Sequence, residues 1–340
     1  MAAESFPALV VESSTDGKQS PAALREFANP DALPAPGGEV LVRVTHSSLN
    51  YKDGLAVTGK GKVLRQFPIV PGIDLAGVIE NPGADQRFRA GDPVVLTGWG
   101  IGERFSGGYA GFARVQGDWL IPLPHSINPF QAMAIGTAGL TAMCAVLALE
   151  DHGLTPGHDH KVVVSGAAGG VGSLAVMLLA RRGHHVVAST GRVTEAGNYL
   201  RTLGAAEIIA REILATPTGK PLDAETWAGG IDTVGGETLG SILRQTRAYG
   251  SVAACGLAGG AHLPTTVMPF ILRGINLLGI HSVMCPRPLR ERAWAGLATD
   301  LDWNQLGQIS RLVSLREIPL LAGAILAGQV RGRIVVGIRD

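Results

Sequence analysis

The stretch Lys161-Val-Val-Val-Ser165-Gly166-Ala-Ala-Gly169-Gly170-Val171-Gly172-Ser173-Leu174 decides the fold class. Lys161–Ser165 reads as an apolar strand. Val171–Arg182, filled with Leu174, Val176, Met177 and Leu178, reads as a helix. The glycines between them let the backbone turn tightly and approach a ligand with no Cβ in the way. The free N–H groups of the helix then point at that ligand, which suits a dinucleotide pyrophosphate. Gly169, Gly170, Val171, Gly172, Ser173 and Leu174 are therefore expected at the cofactor. The string is not the usual GxGxxG, and a purely structural turn is the alternative; the strand–turn–helix context supports the ligand. No Gly-Lys-Ser/Thr comes after it, which disfavours a phosphate-loop NTPase.

The next strand separates the two nicotinamide cofactors. It ends Ala188-Ser189-Thr190-Gly191-Arg192. An enzyme that prefers NAD commonly places a carboxylate there for the ribose 2′-hydroxyl. Here nothing repels a 2′-phosphate, and Arg192 offers it a bidentate charged contact, so NADPH is expected at Thr190 and Arg192. A solvent-facing loop is the other reading of Arg192. Arg181 and Arg182 close the preceding helix, and helix-end electrostatics explains them.

Outward from this unit the chain changes character near Pro129. Before it lie short strand candidates at close spacing, among them Pro7–Glu12, Glu39–Ser47, Ile73–Glu80, Pro93–Trp99, Tyr109–Val115 and Trp119–Pro122. Glycine or proline punctuates nearly every gap, the pattern of a compact barrel or sandwich, and no helix-length segment dominates. After it, apolar strands alternate with helices such as Gln131–Glu150 and Glu237–Arg247, which argues for a parallel sheet covered on both faces. Beyond Pro286 come two helix candidates and an extended ending, Arg331–Ile338, suited to a strand that returns to the first sheet. The fold class is α/β: a Rossmann-type doubly wound parallel sheet plus a β-rich domain. The expected ranges are 1–128, 129–285 and, returning to the first domain, 286–340.

Composition excludes several classes. With 29 Lys and Arg against 28 Asp and Glu in 340 residues, there is no electrostatic case for a nucleic-acid binder. The 47 glycines are about twice ordinary usage. Cys144, Cys255 and Cys285 are too dispersed for a disulfide framework or a clustered zinc site, and a reducing, cytoplasmic compartment is the natural reading. The N-terminus lacks the features of a secretory signal. Gln131–Leu149 and Val162–Ala180 are uncharged, but their glycines suit buried elements better than a membrane span.

Further segments carry a resemblance. They are Ser48-Leu-Asn50-Tyr51-Lys52-Asp53-Gly, Phe67-Pro-Ile-Val-Pro71-Gly-Ile-Asp74-Leu-Ala-Gly77, Leu96-Thr-Gly-Trp99-Gly and Gly136-Thr137-Ala-Gly139-Leu-Thr141-Ala. Later come Ala228-Gly-Gly-Ile-Asp232-Thr-Val-Gly235, Ala254-Cys255-Gly-Leu257-Ala-Gly-Gly260 and Leu263-Pro-Thr-Thr-Val-Met-Pro-Phe270-Ile-Leu272. With the glycine turn, they make the chain resemble the zinc-free, quinone-oxidoreductase-like branch of the medium-chain dehydrogenase/reductase superfamily. Within it, the chain looks most like bacterial acrylyl-CoA reductases. The resemblance implies a GroES-like substrate domain interrupted by the cofactor domain, and NADPH-dependent reduction of acryloyl-CoA to propanoyl-CoA. Quinone or small-enone reduction is the competing activity, and a sensor that binds nucleotide without turnover is a third. It also implies a homodimer paired through the cofactor domain.

The superfamily's alcohol dehydrogenases hold zinc with Cys and His or Glu. No cysteine occurs here before Cys144, so no metal is expected. A conjugated double bond does not need that metal, because the substrate's own carbonyl takes the developing charge. Tyr51 is the first catalytic candidate, as donor or proton relay, with cofactor positioning or simple packing as alternatives. Asn50 is the second; its amide can meet ribose or substrate, or hold a turn. Asp53 is read as an orienter of Lys52 or of a backbone N–H. Thr137 and Thr141 lie four apart on one helix face, which the resemblance brings to the nicotinamide. Leu257, Ile271 and Ser282 are expected there on resemblance, and Gln329 and Arg331 near the last strand are cofactor candidates with an equally good structural reading. Lys52, Lys60, Lys62 and Arg65 form a basic group that suits CoA phosphates or a solvated loop.

Overall fold

The computed structural model describes residues 5–14 and 17–338. The chain forms two compact units. One runs to Thr137 and resumes at Leu306; the other is Ala138–Gln305. The first begins with β1 (Phe6–Val10) and β2 (Ala23–Phe27), an antiparallel pair. Then come β3 (Val40–Leu49), α1 (Tyr51–Thr58), β4 (Asp74–Asn81), β5 (Pro93–Thr97), β6 (Phe112–Val115) and β7 (Ile121–Pro122). Strand β3 alternates as its sequence predicts: Val40, Val42 and Val44 are buried with Leu75, Ile79, Val94 and Leu96. Helix α2 (Pro129–Asp151) is broken at Gly136, where φ is 51° and ψ −158°.

The second unit holds β8 (Gly157–Val164), α3 (Gly170–Arg181), β9 (His184–Thr190), α4 (Val193–Thr202), β10 (Glu207–Ala210) and α5 (Glu212–Ala215). It continues through β11 (Trp227–Asp232), α6 (Gly236–Gln245), β12 (Thr246–Ala254), α7 (Met268–Arg273), β13 (Asn276–Gly279) and α8 (Arg287–Asp300). All its strands are parallel, in the order β10-β9-β8-β11-β12-β13. That is the doubly wound Rossmann order, whose crossovers part between β8 and β11. Ligands of such sheets sit beyond the strand ends at that switch point.

After α9 (Trp303–Gln308), the strand β14 (Ser310–Ser314), helix α10 (Ile318–Leu326) and strand β15 (Arg333–Gly337) belong mainly to the first unit. Strand β15 pairs antiparallel with β3, setting Ile334 opposite Leu49 and Val335 opposite Ser48. The expected returning strand is there, in a seven-stranded sheet with β14 at its edge.

Several local features differ from the sequence reading. Helix α1 lies outside it; its signal is a capping box, in which Asn50 and Asp53 satisfy each other's backbone N–H groups. Trp119–Pro122 is a short 3₁₀ turn and a two-residue strand. The compact units divide at residues 137/138 and 305/306. Helix α8 lies in the second unit because Arg290 donates to the carbonyls of Ser282 and Val283, and Arg182 pairs with Asp300 at 2.7 Å. Cys144 and Cys285, 141 residues apart, bring their sulfurs to 3.9 Å as free thiols. Among the described residues α2 is the one helix long and apolar enough to cross a membrane, and its apolar window is 89% buried inside the fold.

The break in α2 is a glycine requirement. A Cβ at Gly136 would stand 2.6 Å from Asp74 Oδ2 and 2.8 Å from Arg333 Nη2, in a backbone region open essentially only to glycine. Gly136→Ala is expected to lower unfolding stability in urea by about 2 kcal/mol or more. Gly323→Ala, in α10 with nothing within 4 Å of its Cβ position, should be neutral or raise stability by up to about 1 kcal/mol.

Candidate functional site

Each unit gathers polar groups around one buried carboxylate. In the first unit it is Asp74, fully buried at the start of β4. Its Oδ2 accepts from Ser48 Oγ (2.6 Å), Asn50 Nδ2 (2.8 Å) and the Thr137 N–H (2.9 Å); its Oδ1 accepts from Thr137 Oγ1 (2.5 Å). Arg333, the first residue of β15, is 3% exposed. Its Nη1 donates to Asn50 Oδ1 at 3.1 Å, while Nε and Nη2 donate to the carbonyls of Ala134 and Met133 at 2.7 and 3.3 Å. Those carbonyls end the helical segment before Gly136, the end at which a helix favours a cation.

Asn50 is thereby enclosed. Its amide nitrogen faces Ser48, Asp53 and Asp74, and its oxygen faces Arg333. These bonds hold the turn into α1 from within the protein. Tyr51, the next residue, begins α1 with 46% of its surface exposed. Asp53 accepts the backbone N–H groups of Asn50 (2.9 Å) and Ile73 (3.0 Å). Lys52 turns instead to Glu103, at 2.7 Å. Burial, and secondarily the charge of Asp74, push the Asp53 carboxyl up to about 7.

In the second unit the carboxylate is Asp232, at the end of β11. It accepts from Ser165 Oγ (2.6 Å) and from the N–H groups of Gly235 (2.7 Å) and Val234 (3.3 Å), and burial raises its pKa. Ser165 Oγ in turn accepts the Thr233 N–H, so β8 and β11 are tied where the sheet switches direction. The glycine turn leaves β8 there. A Cβ on Gly172 would stand 2.4 Å from the Gly166 carbonyl, which only glycine avoids. Helix α3 starts at Gly170, after Gly169 at its N-cap, with no side-chain cap on its first N–H groups. Gly169, Gly170 and Val171 lie at this end. Ser173 Oγ donates to the Ala167 carbonyl and accepts from Tyr199, and Leu174 is fully buried in the core.

Thr190 ends β9, its hydroxyl accepting the Arg192 N–H at 3.2 Å. Sequence reasoning missed Arg211. It comes just after β10, donates its N–H to the Thr190 carbonyl, and lays its side chain 2.8–3.2 Å from the Cβ position of Gly191. The signal was available: parallel neighbours end together, so an Arg just past β10 stands beside one just past β9. Thr141 and Ser282 come together, their hydroxyls 2.6 Å apart, while Thr137 is spent on Asp74. Leu257 and Ile271 expose 67% and 72% of their surfaces. Gln329 and Arg331 are exposed in the first unit, in the loop before β15.

A GroES-like β-rich unit with a doubly wound sheet inserted defines the medium-chain dehydrogenase/reductase class. Residues 36–125 match the family described as alcohol dehydrogenase GroES-like domain, and residues 170–298 the one described as zinc-binding dehydrogenase. The chain is 51% identical over 333 residues to acrylyl-CoA reductase AcuI of Ruegeria pomeroyi, covering 98% of this chain and 99% of that one. It is 46% identical over 305 residues to putative quinone oxidoreductase YhfP of Bacillus subtilis, covering 89% and 91%. The structure of the Salmonella enterica yhdH oxidoreductase in complex with NADP superposes with a TM-score of 0.93 at 49% identity, covering 98% and 100%. The chain belongs to this AcuI and YhdH family of zinc-independent medium-chain oxidoreductases.

The zinc of the class does not fit these residues. Among the described residues no three His, Cys, Asp or Glu side chains group to hold a metal. The buried carboxylates of the first unit, Asp53 and Asp74, are met by N–H and hydroxyl donors.

The raised Asp53 pKa has a consequence for stability. The native chain holds this proton up to about pH 7, whereas an unfolded aspartate loses it near pH 4. The native state therefore binds more protons between those values, and stability falls as pH rises through that window. Asp53→Asn should remove this fall, of up to about 1.4 kcal/mol per pH unit, from urea unfolding measured across the window.

Proposed function

We propose that this chain uses NADPH to reduce the activated double bond of acryloyl-CoA, giving propanoyl-CoA. The observation that carries the reading is the 51% identity to an acrylyl-CoA reductase across 98% of the chain. The cofactor choice is supported by Arg192 and Arg211 at the ends of β9 and β10, two cations that suit a 2′-phosphate, although Arg211 also meets Glu212 at 3.2 Å. YhdH structures bind NADP or NADPH, while the YhfP structure is described with NAD. The arginine pair favours the phosphorylated form here.

NADPH, when bound, supplies the hydride for the β-carbon of the enoyl thioester. The chain's own part is to hold the dinucleotide at the glycine turn and to stabilise charge on the thioester oxygen. Tyr51 is the residue assigned to that oxygen, because its phenol is the exposed donor at the start of α1. Asn50 is a positioning residue: with Asp53 it caps α1, and through Arg333 and Asp74 it fixes where Tyr51 begins. Leu257 and Ile271 offer apolar surface for the nicotinamide half, in the same unit as the Thr141–Ser282 pair. Thr137 serves through Asp74, and Gln329 keeps its cofactor assignment on family resemblance. A homodimer through the second unit fits β13, the edge strand of its sheet, which lies on the same unit as the exposed Val267 and Leu272.

Quinone or small-enone reduction is the second reading, favoured by the 46% identity to YhfP. NADPH oxidation measured in parallel with acryloyl-CoA, crotonoyl-CoA and benzoquinone tests both. A kcat/KM highest for acryloyl-CoA supports the first reading; a preference for benzoquinone overturns it. Tyr51→Phe is expected to lower kcat on the order of 100-fold with the Kd for NADPH unchanged. Arg192→Ala with Arg211→Ala should raise KM for NADPH roughly 10- to 100-fold while leaving that for NADH unaltered.

A further inference from the structure

The basic group noticed in the sequence is rearranged by the fold. Lys52 leaves it, paired with Glu103. Arg104 joins it: the Arg65 N–H donates to the Glu103 carbonyl at 2.8 Å, and the Gln66 amide donates to the Arg104 carbonyl. The result is a surface with Lys60, Lys62, Arg65 and Arg104, all exposed. Among the described residues none of the four has a carboxylate at ion-pair distance, and Glu103 is already taken. Four unpaired cations stand out in a chain whose net charge is only +1. Favourable electrostatics at the end of α1 accounts for one cation near its last turn, not for four.

Position gives this surface a meaning. Helix α1 carries the exposed Tyr51 at its first residue and ends at Thr58, after which Gly59, with φ 68°, turns the chain into the basic segment. Eight helical residues span about 12 Å. The pantetheine arm of coenzyme A has the backbone-bond count of about four residues, and so reaches roughly 14 Å when extended. A thioester at Tyr51 therefore has enough reach to set its phosphates at the far end of α1.

We propose that Lys60, Lys62, Arg65 and Arg104 form the docking surface for the phosphates of the coenzyme A moiety, making this a reductase of CoA thioesters rather than of free enones. The assignment rests on the acyl-CoA reading above and adds the residues that recognise the carrier. Exposed cations act on anionic substrates chiefly through the local field, so the effect belongs in KM and weakens with salt.

The test compares acryloyl-CoA with acryloyl-3′-dephospho-CoA and acryloyl-pantetheine, which carry the same thioester with fewer phosphates or none. The enzymes are wild type, the triple variant Lys60→Gln, Lys62→Gln, Arg65→Gln, and Arg104→Gln. Lys220→Gln, an exposed lysine of the second unit, is the charge control. The triple variant should raise KM for acryloyl-CoA at least tenfold with kcat little changed, and Arg104→Gln should raise it severalfold. KM for acryloyl-pantetheine and for NADPH should stay put in both, and dephospho-CoA should fall between. A KM for acryloyl-CoA unchanged in the triple variant overturns the assignment, as does an equal rise for acryloyl-pantetheine. A rise in KM for NADPH places the cations at the cofactor instead and also overturns it. If wild type reduces acryloyl-pantetheine as efficiently as acryloyl-CoA, the phosphate surface fails while the acryl-thioester reading survives. If it reduces neither, both fail.

Discussion

One buried guanidinium joins the two ends of the chain. Arg333 reaches Asn50, 283 residues earlier, and the carbonyls of Met133 and Ala134 at the break in α2. A buried charge is costly unless its donors are met, and this one meets three acceptors from two segments. Returning β15 to β3 makes that contact possible, and the contact in turn fixes the residue that caps α1. The placement of Tyr51 results from a chain of ordinary polar contacts: Arg333 to Asn50, Asn50 to Asp74 and Asp53, and then the first turn of α1. An arginine also suits this place better than a lysine, since a planar fork can serve several acceptors at once.

The second unit repeats the device with different parts. Asp232 collects Ser165 and two backbone N–H groups at the ends of β8 and β11, and Ser165 holds Thr233. The glycine turn thus starts from a tied point and ends in an uncapped helix. In both units the carboxylate is satisfied inside the protein. What is left over is an exposed phenol in one unit and the start of a helix without a side-chain cap in the other.

Local periodicity and turn chemistry made part of this structure legible in the sequence. The parallel sheet, the glycine turn, the absence of a carboxylate at Thr190–Arg192 and the returning last strand all belong to that class. The illegible part depends on residues distant in the chain. Asp74 and Arg333 look unremarkable until the sheet brings them to Asn50, and Arg211 reaches Gly191 only through the pairing of β9 with β10. Helix α1 is short and rests on its cap rather than on an apolar stripe, so periodicity does not reveal it. Leu174 lies next to the turn in sequence, but helix geometry rotates its side chain into the core.

The first unit depends on the three-way fork of Arg333, and Arg333→Lys tests this directly by keeping the charge and removing the fork. The measurement is the urea unfolding of the variant beside wild type. A loss of about 2 kcal/mol or more is predicted, because a lysine ammonium cannot reach Asn50, Met133 and Ala134 together. Unfolding indistinguishable from wild type would contradict that dependence and would mean that charge alone holds the two ends of the chain.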